Sequence, residues 1–207
     1  MAQSTFTYGV IENNQYHAPS GEFDITLPVQ PEFGGHVTDT PEVVTFQDNV
    51  SIHASIACFG LDSAQKREIE NRGRQDYLAG FFGQHVQAQF RERFAGATIE
   101  SAKFVPALLS GSLIVYNLLP GGSMFDHQAA LSSSDSAPTA KRGNLLFLHN
   151  DHLYVVSIEL ADPVIDTTHS ALTTEQQNEL LQQRLLELVG RMSFRVPVSQ
   201  TLPNGQA

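Results

Sequence analysis

The chain has 207 residues, 41% of them hydrophobic and 16% charged, with 22 Asp and Glu against 12 Lys and Arg for a formal net charge of −10. That length suits one domain with a real core, and the composition is that of an ordinary folded protein rather than a disordered or coiled-coil one. No apolar run approaches the roughly 20 residues of a membrane-spanning helix, and the absence of Lys and Arg before Lys66 gives an acidic front that opposes phosphate backbones and anionic lipid. Neither a membrane span nor a nucleic-acid partner is expected.

Residues 16–27 read as two short strands about Ser20-Gly21, with Phe23, Ile25 and Leu27 on one face and Asp24 and Thr26 on the other. Pro28, Pro31, Gly34 and Gly35 then give a loop. A second hairpin pairs residues 43–47 with 50–59 about Asp48-Asn49. In its longer strand Val50, Ile52, Ala54, Ile56 and Cys58 alternate with Ser51, His53 and Ser55, so one face is partly polar and the hairpin is expected at the periphery. Asp62 with Gln65 three residues on marks a helix start, and the helical pattern runs past a weak point at Gly73 to Phe94. Leu78, Phe81, Phe82, Val86, Phe90 and Phe94 form a broad apolar stripe that needs a sheet to lie on, whereas residues 64–75 are polar enough to project into solvent.

A third hairpin joins residues 98–109 to 112–119 around Ser110-Gly111, with Leu108 opposite Leu113. Phe104, Pro106 and Val115 then share one face, and Val105, Leu109, Ile114 and Tyr116 the other. Pro106 lacks a backbone donor and belongs at a bulge or an edge. After Pro120-Gly121-Gly122, the Ser-rich residues 129–143 bury little and are expected as a flexible loop. Residues 144–160 form the fourth hairpin, with a tight turn at Asn150-Asp151. That turn sets His149 opposite His152, Phe147 opposite Tyr154 and Leu145 opposite Val156 on one face, leaving Leu146, Leu148, Leu153 and Val155 on the other. Such a hairpin needs cover on both faces. Thr173 with Gln176 caps a last helix whose stripe is Leu181, Leu185, Leu188, Val189 and Met192, and residues 196–207 form a tail with little to anchor it.

Hairpins, helix, hairpins, helix describe an α+β fold: one antiparallel sheet of six to eight strands covered by a helix on each face, an α/β/α sandwich, filling a single domain over residues 1–195. An opening strand pair ending in Phe-Asp-Ile-Thr-Leu-Pro at residues 23–28, hairpins either side of a long helix, and a closing helix with a short final segment resemble the PsbP-like family, which shares its fold with a Ran-binding nuclear-import factor. The resemblance covers most of residues 8–195. It implies an accessory or binding module rather than an enzyme. The chain departs from the photosynthetic members in lacking a targeting segment, and its Ser-rich insertion has no counterpart there. No functional residue carries over.

His149 and His152 are the first candidate site, since directly opposed imidazoles can share a metal and Asp151 could add an oxygen. Two or three such ligands do not close a zinc site, so polar residues capping a hairpin end are the favoured reading. His85, on the apolar stripe of the first helix, reads as a rim or core histidine satisfied by a carbonyl. His53 with Ser51 and Ser55 outlines a base beside a nucleophile, but no carboxylate is placed to orient the ring, and a solvated strand face is favoured. Cys58, the lone cysteine, excludes an internal disulfide and a cysteine-based zinc cage. It lacks a nearby cation and reads as an inert buried thiol. Gly121-Gly122 lacks the later Gly and Lys of a phosphate loop. Lys66, Arg67, Arg72 and Arg74 could dock an acidic partner, but the interleaved Glu68 and Glu70 point to a solvated face with local ion pairs.

The expected function is therefore a non-catalytic, cytoplasmic domain that engages a protein partner and carries no cofactor. The alternative is a metal-dependent protein or hydrolase centred on the His149/His152 hairpin tip. Edge pairing of hairpins into a homo-oligomer is a third reading, and the oligomeric state is not fixed by the sequence. The single cysteine agrees with a reducing compartment, and the opening residues carry no secretory signal, so the chain is expected to be cytoplasmic unless a targeting segment has been trimmed from it.

Overall fold

In the computed structural model, residues 8–19, 21–50, 52–125, 139–160 and 172–195 are described. The strands are β1 Val10–Glu12, β2 Gln15–His17, β3 Phe23–Thr26, β4 His36–Asp39, β5 Val43–Gln47, β6 His53–Gly60, β7 Thr98–Val105, β8 Ser112–Pro120, β9 Thr139–His149, β10 His152–Leu160 and β11 Met192–Phe194. The helices are α1 Ser63–Arg72, α2 Arg74–Phe81, α3 Gln87–Arg93 and α4 Thr174–Gly190, with a π-helical turn at Phe82–Val86 between α2 and α3.

Asn150 and Asp151 both adopt left-handed backbone, at φ 46° and 62°, as a two-residue hairpin turn that follows the strand twist requires. The register it sets is the one expected: His149 faces His152, Phe147 faces Tyr154 and Leu145 faces Val156. Around this hairpin lies a seven-stranded antiparallel sheet in the order β4-β5-β6-β10-β9-β8-β7. One face packs Ile114, Tyr116, Leu145, Phe147, Tyr154 and Val156 against Leu181, Leu185 and Leu188 of α4. On the other face Leu113, Val115, Leu146, Leu153 and Val155 meet Leu78, Phe82, Phe90 and Phe94 of the α2–α3 segment. The expected sandwich thus holds for the large sheet, and both expected capping boxes form, at Asp62 with Gln65 and at Thr173 with Gln176.

Several expectations need correction. The strands do not all join one sheet: β1-β2-β3-β11 form a separate four-stranded sheet, whose Tyr16, Phe23 and Ile25 pack into the core on the α4 side. Its β1 leads into β2 through a second turn of the Asn150-Asp151 kind, with Asn13 and Asn14 at φ 47° and 63°. Strand β9 starts at Thr139, so the last five residues assigned to the Ser-rich loop are strand; residues 126–138 and the tail at 196–207 lie outside the described residues. Leu113 faces Phe104, not Leu108, because β7 ends at Val105 and a longer turn with Leu109, Ser110 and Gly111 at positive φ replaces the two-residue one. Val50 lies on the surface, because Asp48 Oδ1 accepts from the amides of Val50 and Ile52 at 2.9 and 2.8 Å and holds a wider turn before β6.

The long helix breaks at Gly73, at φ 82° and ψ 157°, and is then rephased by the π-turn. Eight residues of α-helix would rotate Phe90 about 80° away from Phe82. The one-residue excess of the π-turn removes most of that rotation, so both rings reach the sheet, where their centroids lie 6.5 Å apart. On the opposite face Gly143 of β9 lets α4 come close: a Cβ there would stand 3.2 Å from atoms of Leu181 and Leu185. In the small sheet Asp24 of the inner strand β3 ties its neighbours together, its carboxylate meeting His17 Nδ1 of β2 at 2.7 Å and Arg195 Nη2, just past β11, at 2.8 Å. Burial alone would raise the Asp24 pKa, but hydrogen bonds from Arg195 and His17 outweigh it and hold the group below the usual carboxylate range.

Candidate functional site

The face under α2 and α3 is not uniformly apolar. The strand pairing places Thr38, Thr45, Ser55, Ser157 and Asn144 in direct succession across β4, β5, β6, β10 and β9. One step along the strands, His36 faces Gln47 and Gln47 faces His53, while Glu159 faces Arg142 and Arg142 faces Asn117. A polar band two residues wide therefore crosses the sheet.

At its inner end the band is dry and hydrogen-bonded. Ser157 Oγ donates to Asn144 Oδ1 at 2.9 Å, Asn144 Nδ2 to Asn117 Oδ1 at 3.0 Å, and Asn117 Nδ2 to Gln87 Oε1 at 2.6 Å. Gln87, buried on α3, then donates to the carbonyl of Ala97 at 3.1 Å. Each partner supplies the donor or acceptor that the next one needs, which is what makes such a chain tolerable away from water.

Beside this chain lies a buried ion pair. Arg142 and Glu159 are 5% and 1% exposed, with Nη1 3.4 Å from Oε2. Arg142 Nη2 donates to Ser55 Oγ at 2.9 Å, and the guanidinium carbon lies 5.6 and 5.2 Å from the ring centres of Phe90 and Phe125. Glu159 Oε2 also accepts from the Met124 amide at 3.2 Å. Arg142 Nε and Glu159 Oε1 are buried without a hydrogen-bond partner. Burial lowers the Arg142 pKa, Glu159 opposes that shift, and the nearby Arg93 charge adds to it.

At its outer end the band opens. Helices α2 and α3 stop short of β4 and β5, and a cleft of about 630 Å³ remains between the outer strands and the helical wall, within the roughly 300–1,000 Å³ common for ligand sites. Thr45, Gln47, Ser55 and Ala57 form part of its floor, Phe81, His85 and Arg93 part of its wall, and Arg142 its inner end.

Of the histidines singled out in the sequence, His85 stands at the cleft rim with its ring centre 4.7 Å from that of Phe81. His53 is stacked 5.5 Å over Phe125. The strand face carrying His53 and Ser55 is therefore not the solvated one expected, since Ser55 is buried against Arg142. His149 and His152 do face one another, but His149 packs on Phe194 and His152 Nδ1 engages the carbonyl of Asn150 at 2.7 Å. Asp151 turns away to Lys66 at 2.8 Å. Among the described residues no group of three or more His, Cys, Asp or Glu is placed to hold a metal ion.

The basic cluster is largely engaged within the chain: Lys66 with Asp151, Arg72 with Glu68, and Arg74 with the carbonyl of Ser110 at 2.7 Å. Cys58 is half-buried, and burial pushes its thiol pKa up to about 12. No helix among the described residues is long and apolar enough to cross a membrane.

No protein-family model matches the sequence, and no curated protein matches it. Among solved structures the chain is similar to the solution structure of cyanobacterial PsbP (CyanoP) from Synechocystis sp. PCC 6803, with a TM-score of 0.51, 10% identity, and coverage of 94% of this chain and 98% of that one. At that identity what is shared is the fold. A structure from Bacteroides thetaiotaomicron VPI-5482 aligns with a TM-score of 0.38 and 9% identity over 90% of this chain and 50% of that one.

Proposed function

We propose that this chain is a non-catalytic binding domain that engages a protein partner through the cleft over β4, β5 and β6. One observation carries the reading. The α4 side of the large sheet is roofed by a helix and by the small sheet, whereas on the other side the helical layer ends early and leaves a walled cleft whose inner end is a buried arginine. A partly polar floor exposed beside an otherwise complete core suits recognition of another molecule.

Ser55 and its strand neighbour His53 lack the geometry of a hydrolase. Ser55 Oγ accepts from Arg142, and His53 lies flat against Phe125 rather than between Ser55 and a carboxylate. The PsbP-like fold supports an accessory role. The lone Cys58 supports a reducing compartment, and we place the protein in the cytoplasm.

Filling the cleft tests the reading. Ala57→Trp on its floor should abolish retention of a stoichiometric partner by the tagged chain in native extract, with the thermal unfolding temperature unchanged. A partner retained equally by both forms, or none retained by the wild type, would overturn it.

A further inference from the structure

The inner end of the cleft constrains what enters it. Arg142 carries five N–H donors, and its two hydrogen bonds, to Glu159 and Ser55, leave Nε buried without an acceptor. Its carboxylate neighbour among the described residues, Glu159, is shared with the Met124 amide and stands at 3.4 Å, longer than a strong charge-assisted bond. A second guanidinium, Arg93, lines the same cleft and repels the first. Among the described residues Glu42 is the one carboxylate lining the cleft, and it precedes β5, at the end of that strand away from the polar band. Apolar surface lies alongside, from Phe59, Phe81 and Val86.

Resting on the binding role of this cleft, we propose that the group it recognises is a carboxylate joined to an apolar body, with the oxygens directed toward Arg142 and Arg93 and the body against Phe59 and Phe81. A carboxylate answers the donors that Glu159 leaves over, and the planar fork of an arginine is suited to that group. The same chemistry is offered by a free alkyl carboxylate and by the C-terminus of an apolar peptide.

The test follows amide resonances of the full chain during titration with octanoate, with 1-octanol, and with an apolar tetrapeptide bearing either a free or an amidated C-terminus. Saturable shifts at Ser55, Ser157 and Arg93 should appear with octanoate or the free-acid peptide at about tenfold lower concentration than with the uncharged counterpart, the margin that one added charge-assisted hydrogen bond supplies. Preference for octanoate alone or for the free-acid peptide identifies the source, and either supports the inference. Arg93→Gln, on the exposed side of α3, should remove most of the margin without unfolding the protein and leave octanol unaffected. Equal affinity for the charged and uncharged members, an inert Arg93→Gln, or no shifts at the cleft would overturn the carboxylate. Whether the cleft binds a partner at all is decided separately by Ala57→Trp, through partner retention by the wild type and its loss in the variant.

Discussion

The two faces of the seven-stranded sheet solve the same packing problem differently. On the α4 side, Leu145, Phe147, Tyr154 and Val156 are all buried against apolar neighbours from α4 and the small sheet. On the α2–α3 side the core is apolar only as far as Leu146, Leu153 and Val155, and then gives way to Asn144, Ser157, Arg142 and Glu159. Burying those groups is costly unless each is paired, and burying an ion pair is often less favourable than burying hydrocarbon of the same volume. The dry α4 face, which still buries Lys141 beside Glu100 at 2.6 Å, is therefore the part of the molecule that holds the fold, and the polar band is where stability has been given up to keep specific groups beside a cleft.

Adjacent residues of β9 test that contrast, because Arg142 and Gly143 project to opposite faces. Arg142→Met leaves Glu159 buried without its cation and should destabilise the chain by about 3–5 kcal/mol. Arg142→Met with Glu159→Leu should recover most of the loss, which denaturant unfolding would show. If the single change cost under about 1 kcal/mol, the ion pair would be solvated and the contrast between faces would fail. Gly143→Val drives a branched side chain into Leu181 and Leu185 and should cost about 1–3 kcal/mol by overpacking.

The helix caps sharpen the comparison at smaller scale. Thr173 caps α4, which buries Leu181, Leu185, Leu188 and Val189; Asp62 caps α1, which buries none of its residues. Thr173→Ala should lower global stability by about 1 kcal/mol. Asp62→Ala should speed hydrogen exchange within α1 and leave the global unfolding midpoint nearly unchanged.

The small sheet that completes the dry face gives a pH dependence. Because the Asp24 carboxyl is held below its ordinary pKa, its stabilising contribution is present above about pH 4 and is lost as pH falls through the depressed value. The stability difference between wild type and Asp24→Asn should therefore be largest near neutrality and shrink on acidification. A difference that grew at low pH would have the wrong sign for this linkage.

Most of the dry face was legible in the sequence. The Asn150-Asp151 turn fixes the register of β9 with β10, and alternation then assigns every buried residue near the turn to its face. The Asn13-Asn14 turn carried the same signal for β1, but the short, surface-exposed strand that precedes it lacks the apolar run that marks the other hairpins. The polar band was hidden for a different reason. Gly143 and the Ser-rich composition before it make residues 139–143 look like loop, which hides Arg142 opposite Glu159, although Asn144 opposite Ser157 falls within the expected hairpin. The π-turn that brings Gln87 onto Asn117 depends on how the helix settles on the sheet, and sequence periodicity does not encode it.

Hydrogen exchange on the full chain, free and with its captured partner, tests most directly whether the open half of the sheet is where binding happens. Added protection should fall on residues 36–47 and 81–93, the floor and wall of the cleft. Protection confined to α1 or to residues 149–152 at the hairpin tip would contradict the account.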